Sequence, residues 1–203
     1  MVHRLRLAVV IVLGAALAAH SSAQERFTRQ EADRFQTKLQ RIIERGKVPR
    51  ARTPGAPAST QLTDAEVTSY LRYHARDQVP TGIVEPSLTA LGDGRVGGKA
   101  IVDLDAVRAQ KQRGWLDPLG YLRGRLPLAA TGTLITQNGV GRFQLESAEL
   151  SGVAIPKTVL QELLSFYSRS PEDPDGINMD DPFDLPSGIR EIRVGKGDAM
   201  VIQ

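Results

Sequence analysis

The sequence predicts an α+β protein: a curved antiparallel sheet of hairpins packed against one or two helices, preceded by a tethered amino-terminal helix. Three observations support this fold class. A strand, a glycine-containing turn and a second strand occur three times. Two segments carry apolar residues at three- and four-residue spacing, which is typical of amphipathic helices. Between them, the apolar period changes to two, which indicates strands with one buried face.

Residues 1–23 have the pattern of a secretory signal peptide. A basic head with Arg4 and Arg6 precedes an apolar run, and Ser21 and Ala23 occupy the positions of small residues before a cleavage site. We therefore expect cleavage near Ala23 and a periplasmic or secreted protein. An uncleaved membrane anchor is the alternative, although the run is shorter than the roughly 20 residues that span a bilayer. The chain has no cysteine, so neither a lipid anchor of the lipoprotein kind nor a disulfide can form.

Residues 24–46 form the next predicted unit, an amphipathic helix over 27–45 that ends at Gly46. The proline-rich residues 47–61 are predicted to link it to an α+β domain over 62–203. Basic residues dominate this arm, either because its helix is solvated or because residues 26–52 meet an anionic membrane surface. The net charge of +3 falls by two with the signal, which does not favour a nucleic-acid partner.

The elements of residues 62–203 follow from local signals. Thr63 and Glu66 form a capping box that begins a helix over 64–75, and Pro156 begins a second helix. Strands are expected over 83–91, from Val96 onward, over 125–136 and 141–150, and over 189–194 and 199–202. Asn138-Gly139 is typical of a type I′ hairpin turn. A partly helical segment over 105–121, containing Trp115, crosses between the first two hairpins.

Apolar residues on one face of these strands and helices are candidates for a ligand groove. Small side chains beside large ones on the strands leave room for either a packed helix or a ligand, so a filled core is the alternative. The candidate ligand-binding residues are Val67, Leu71, Ala100, Val102, Leu128, Phe143, Leu145, Leu160 and Leu164.

The sequence lacks the usual motifs of catalysis. Removal of the signal leaves His74 as the single histidine, and no serine-hydrolase, zinc-protease or phosphate-loop motif is present. We therefore expect a non-enzymatic protein without a cofactor. The remaining catalytic option is a pair of carboxylates. Its candidates are Glu85, Asp103, Asp105, Asp117, Glu146 and Glu149.

An acidic segment resembles a calcium loop in composition. Asp173, Asp175, Asn178 and Asp180 place oxygen ligands at intervals that suit Ca²⁺. Gly176 is misplaced for an EF-hand, and no glutamate stands at the twelfth position. We assign no metal site and keep calcium only as an alternative.

Three short motifs carry a resemblance over roughly residues 62–203. They are residues 66–71 (E-x-N-x-Y-L, with Thr68 at the asparagine position), residues 102–105 (V-D-L-D) and residues 152–156 (similar to G-V-P-V-P). The chain resembles a group of exported bacterial proteins of unassigned function, which is similar in element order to tubular lipid-binding (TULIP-like) proteins. The resemblance implies a curved sheet around a helix, with an apolar groove for a lipid or another apolar small molecule.

The sequence thus predicts an exported, non-enzymatic protein that binds or carries lipid-like apolar ligands in the cell envelope. An envelope module that docks a protein partner, without a small-molecule ligand, is the first alternative. A carboxylate-dependent hydrolase is the second.

Overall fold

A computed structural model describes residues 27–47, 57–110, 123–169 and 174–203. The helices are α1 (Arg29–Lys47), α2 (Asp64–Tyr73), α3 (Leu104–Gln110) and α4 (Lys157–Ser168). The strands are β1 (Ser59–Thr63), β2 (Ile83–Gly92), β3 (Arg95–Asp103), β4 (Arg125–Gln137), β5 (Val140–Leu150), β6 (Val153–Ala154), β7 (Phe183–Asp184), β8 (Glu191–Val194) and β9 (Asp198–Ile202). The signal at 1–23, most of the linker, Trp115, Asp117 and Asp173 lie outside the described residues.

Six strands form the large antiparallel sheet, in which β2, β3, β4, β5 and β6 are neighbours in that order and β7 pairs with β5. This confirms the predicted α+β class and its first two hairpins. At the β4–β5 turn, Asn138 and Gly139 both have positive φ, 52° and 85°, as a type I′ turn requires. Register shifts after Val84 and Thr131 mark irregularities of the kind that bend a sheet.

A second, three-stranded sheet has the order β1-β9-β8. The closing hairpin therefore belongs to this small sheet and is not a third hairpin of the large one. Residues 59–63 were expected to end the linker and begin the helix cap, but they form β1, antiparallel to β9. The two sheets meet where Leu91 bridges Lys196 and the Gly94 N–H donates to the Val194 carbonyl.

Helix α1 is not tethered outside the domain, as the sequence predicted, but packs into it. Its Ile42 is 3% exposed and joins a core of Leu185, Ile189 and Val201 from the end of the chain. Lys38 Nζ lies 2.6 Å from a carboxylate oxygen of the buried Glu66 on α2. The sequence predicted the apolar stripe of the helix. It did not predict the core residues that contact Ile42, because they lie more than 140 residues away along the chain.

Helix α2 covers the free edge of the large sheet. Its capping box is confirmed, since Thr63 accepts from the Glu66 N–H while Glu66 accepts from the Thr63 N–H. Farther along, the Thr68 hydroxyl both accepts from the Leu88 N–H at 3.0 Å and donates to the Leu88 carbonyl at 3.1 Å. Backbone groups of an edge strand are thus paired with side chains of a helix, which protects the edge.

Within the described residues, the helices are all too short or too polar to cross a membrane.

Candidate functional site: a groove beside helix α4

One face of the large sheet is lined with apolar side chains. The register pairs Ala100 with Leu128, Gly132 with Leu145, and Leu134 with Phe143, and directly paired residues point to the same side of a sheet. Val102 lies on this face as well, two residues beyond Ala100. The strands therefore bring five predicted ligand residues onto one surface, which we call the apolar face: Ala100, Val102, Leu128, Phe143 and Leu145.

The apolar face is only partly covered. Among the described residues of its strands, the buried positions on this side are occupied by glycine and alanine, at Gly132, Gly141, Ala90 and Ala148. The larger side chains are half-buried, and Leu88 is 40% exposed. Within the described residues, a surface of this kind keeps apolar area in contact with water.

A groove opens where the apolar face meets α4. It has a volume of about 810 Å³ and lies between α4, β5, β7 and the segment 175–182. Its apolar lining residues are Phe143, Leu164, Ile177, Met179, Pro182 and Phe183, and its polar ones are Gln161, Ser165, Asp175, Asn178 and Asp181. The lining thus combines apolar surface with a polar border.

Glycine shapes the strand side of the groove. A Cβ on Gly141 would lie 2.6 Å from the Phe183 ring, and one on Gly132 would lie 2.4 Å from the Phe143 ring. Both rings therefore lie over strand positions that any larger residue would obstruct. The two glycines let the aromatic rings line the groove close to the sheet.

Helix α4 holds the opposite side of the groove through polar contacts. The Gln161 amide donates to the Ile177 carbonyl at 3.0 Å and accepts from the Met179 N–H at 2.8 Å. Lys157 Nζ lies 2.5 Å from Asp180 Oδ1. These contacts fasten segment 175–182 to the helix, so Ile177 and Met179 line the groove from a fixed segment.

The structure divides the predicted ligand residues among several places. Phe143 and Leu164 line the groove, whereas Ala100 and Leu128 line a different cavity of about 370 Å³. Leu160 is half-buried on α4. Val67 lies on α2, which packs against the other end of the sheet, and Leu71 of the same helix lines a third cavity.

Four apolar groove residues were missed by the sequence reasoning: Ile177, Met179, Pro182 and Phe183. They stand in the acidic, proline-rich segment, where the charges suggested a solvated loop. The available signal was the presence of large apolar residues between those charges. Ile177 is 54% exposed and Phe183 44% exposed.

The calcium alternative draws on the same segment. Asp180 contacts Lys157, and the Asn178 amide donates to Asp181 at 3.0 Å, so these side chains have partners within the protein. The described residues contain no group of three or more acidic or histidine side chains able to hold a metal ion, and Asp173 lies outside them.

Two carboxylate candidates lie in ion pairs away from the groove. The pKa of Asp103 is lowered mainly by a hydrogen bond from the Ala106 N–H and to a smaller extent by the Arg125 side chain. The pKa of Glu146 is lowered mainly by a hydrogen bond from the Thr133 hydroxyl and to a smaller extent by Arg95. A general acid needs the opposite shift, a raised pKa, so neither group is suited to the acid half of a catalytic carboxylate pair.

The groove thus combines apolar surface with polar groups that are held in place by hydrogen bonds. Comparison with protein-family models and with curated protein sequences gives no match for this chain.

Proposed function

We propose that this is an exported, non-enzymatic protein that binds a lipid-like amphiphile in the cell envelope, with the apolar chain of the ligand in the groove beside α4. The observation that carries the proposal is the groove itself, where two phenylalanines and Leu164 face Ile177 and Met179. Its volume of about 810 Å³ falls in the range of roughly 300–1,000 Å³ that is common for small-molecule sites.

An amphiphile fits the distribution of polar groups better than a purely apolar ligand does. Gln161, Ser165 and Asn178 give the apolar lining a polar border, and their amide and hydroxyl groups are held in place by hydrogen bonds within the protein. The neighbouring strands carry alanines and glycines on the apolar face. These small side chains leave space above the sheet, so an acyl chain longer than the groove can extend along apolar surface.

Export and an envelope location rest on the signal-peptide pattern of residues 1–23. The resemblance to tubular lipid-binding proteins points to the same ligand class. Non-enzymatic function is favoured by the lack of sequence motifs for nucleophilic or metal catalysis.

The decisive experiment measures lipid carried by the purified protein. The full chain is produced with its own amino terminus in a bacterial host and recovered from the envelope fraction, and an organic extract is analysed by mass spectrometry. We expect co-purified lipid with the wild type and at least a five-fold loss with Phe183→Asp, because a charge in the groove disfavours an acyl chain.

Val153→Asp is the matched control. Val153 is 69% exposed and does not line the groove, so it accepts the same charge without touching the proposed site. Lipid occupancy should match the wild type in this variant. A lipid-free wild type, or equal occupancy in Phe183→Asp and wild type, would reject the groove as the binding site and favour an interaction module.

A further inference from the structure

A separate cavity of about 410 Å³ lies where the carboxyl end of α2 meets β2. It shares no lining residue with the groove beside α4. Its apolar lining includes Leu71, Val79, Ile83 and Val84, and two guanidinium groups, those of Arg72 and Arg76, also line it. An apolar pocket that presents two arginines is a different chemical environment from the amide- and hydroxyl-bordered groove.

Arg72 is held in place by its surroundings. Its Nε donates to the Pro86 carbonyl at 3.0 Å, and its guanidinium carbon lies 4.7 Å from the centroid of the Phe27 ring. Arg76 is one helical turn farther, and its Nε donates to the Arg72 carbonyl at 2.6 Å. In the part of the chain that the structure describes, the Nη groups of both arginines make no hydrogen bond or ion pair. Donors fixed in this way bind an anion at little further entropic cost.

Among the described residues, Glu85 is the one carboxylate that lines this cavity, so the arginines of the lining outnumber its acidic residues. The residue has φ of 52°, a left-handed conformation that is strained for a side chain with a Cβ. It stands at the irregularity in which β2 shifts register against β3. Irregularities of this kind often redirect side chains beside binding sites.

The geometry points to a second binding site, which takes a small molecule with a carboxylate head and an apolar tail. The carboxylate pairs with Arg72 and Arg76, because the planar guanidinium matches a carboxylate in two-pronged geometry. The tail lies on Leu71, Val79, Ile83 and Val84. This site is independent of the proposed lipid groove, and neither requires the other.

Calorimetric titration of the full-length Phe183→Asp variant, whose groove should not accept an acyl chain, tests the assignment with decanoate. Decanol serves as the neutral analogue and inorganic phosphate as an anion without a tail. We expect decanoate to bind at least about ten-fold more tightly than either, because decanol lacks the charge that pairs with the arginines and phosphate lacks the apolar tail. Decanol binding as tightly as decanoate would overturn the role of the arginines. Equal binding of phosphate would overturn the role of the apolar lining.

Three variants sharpen the test. Arg76→Gln should weaken decanoate binding about ten-fold, and Glu85→Gln should strengthen it about two- to three-fold by removing a like charge. Arg142→Gln removes an exposed arginine of β5 that does not line the cavity, so binding should be unchanged. Equal weakening by Arg76→Gln and Arg142→Gln would reduce the effect to net charge and reject the site.

Phe183→Asp distinguishes the two proposals. It should remove co-purified lipid without changing the affinity of the arginine-lined cavity for decanoate. Arg76→Gln should weaken decanoate binding without removing co-purified lipid. Loss of both ligands in Phe183→Asp would show that decanoate occupies the groove, and the second site would be rejected.

Discussion

The two sheets of this protein bury their apolar residues to very different degrees. The small sheet and α1 enclose Ile42, Leu185, Ile189 and Val201, each exposed by 9% or less. The large sheet has twice as many strands, yet the larger side chains on its apolar face are half-buried, and Leu88 is 40% exposed. The small sheet thus resembles a stabilising core and the large sheet a surface adapted for contact. Under the proposed function, stability and binding depend on different regions of one chain.

The largest effect that we expect separates these regions directly. Ile42→Ala should lower the free energy of unfolding by about 2–5 kcal/mol, because it leaves a cavity in a closed core. Leu88→Ala should cost about 1 kcal/mol, since much of that side chain is already in water. Chemical denaturation of both variants measures the difference. Equal losses would mean that the large sheet also encloses a filled core.

The contact between α2 and the edge of the large sheet should give the next largest effect. Thr68→Val keeps the shape of the side chain but leaves the Leu88 N–H and carbonyl without their partner, and we expect a loss of about 1–3 kcal/mol. Thr89→Val is the control. Thr89 is an exposed residue of β2 next to Leu88, so its replacement should change stability little. If urea denaturation gives the same stability for the two variants, water must replace the Thr68 hydroxyl as the hydrogen-bond partner of Leu88.

A smaller effect is expected when the apolar face is enlarged. Ala100→Trp in an open face should change the free energy of unfolding by less than about 1 kcal/mol, whereas a packed core would lose about 1–3 kcal/mol. The same variant should reduce lipid occupancy if the ligand extends from the groove across the strands. Thermal unfolding measures the change in stability, and lipid extraction from the same sample measures the change in occupancy. Strong destabilisation with unchanged occupancy would identify this part of the face as core.

The smallest effect concerns pH. The lowered pKa values of Asp103 and Glu146 mean that their hydrogen bonds, from the Ala106 N–H and the Thr133 hydroxyl, and their ion pairs stabilise the fold above the ordinary carboxyl pKa. This contribution disappears as the pH falls through the lowered pKa values. Stability should therefore decline below about pH 4. Asp103→Asn should flatten part of this decline relative to the wild type, as measured by chemical denaturation over a pH series. A decline of equal slope in the variant and the wild type would exclude a contribution from Asp103.

Much of the fold could be predicted because its signals are local. The Thr63–Glu66 capping box and the Asn138–Gly139 turn each involve a few consecutive residues, and the structure confirms both. The buried ion pair between Lys38 and Glu66 could not be predicted. Its charges appeared to belong to a solvated arm and an ordinary helix start, and only the packing of α1 brings them together.

The candidate site could be predicted only in part. Phe143 and Leu164 were identified from the periods of their own strand and helix, and both line the groove. Ile177 and Phe183 were not, since the surrounding acidic residues and prolines indicate a solvated loop. Their place in the groove depends on hydrogen bonds from Gln161 and on the pairing of β7 with β5.

The sequence by itself determined where most helices and strands lie, where the hairpins turn and which residues share an apolar face. Each of these depends on steric and hydrogen-bonding preferences within a few residues. Only the tertiary structure decided which apolar face is covered: α1 closes the small sheet, while the large sheet keeps a groove beside α4. That choice depends on contacts between segments far apart in the chain, whose geometry no local pattern contains.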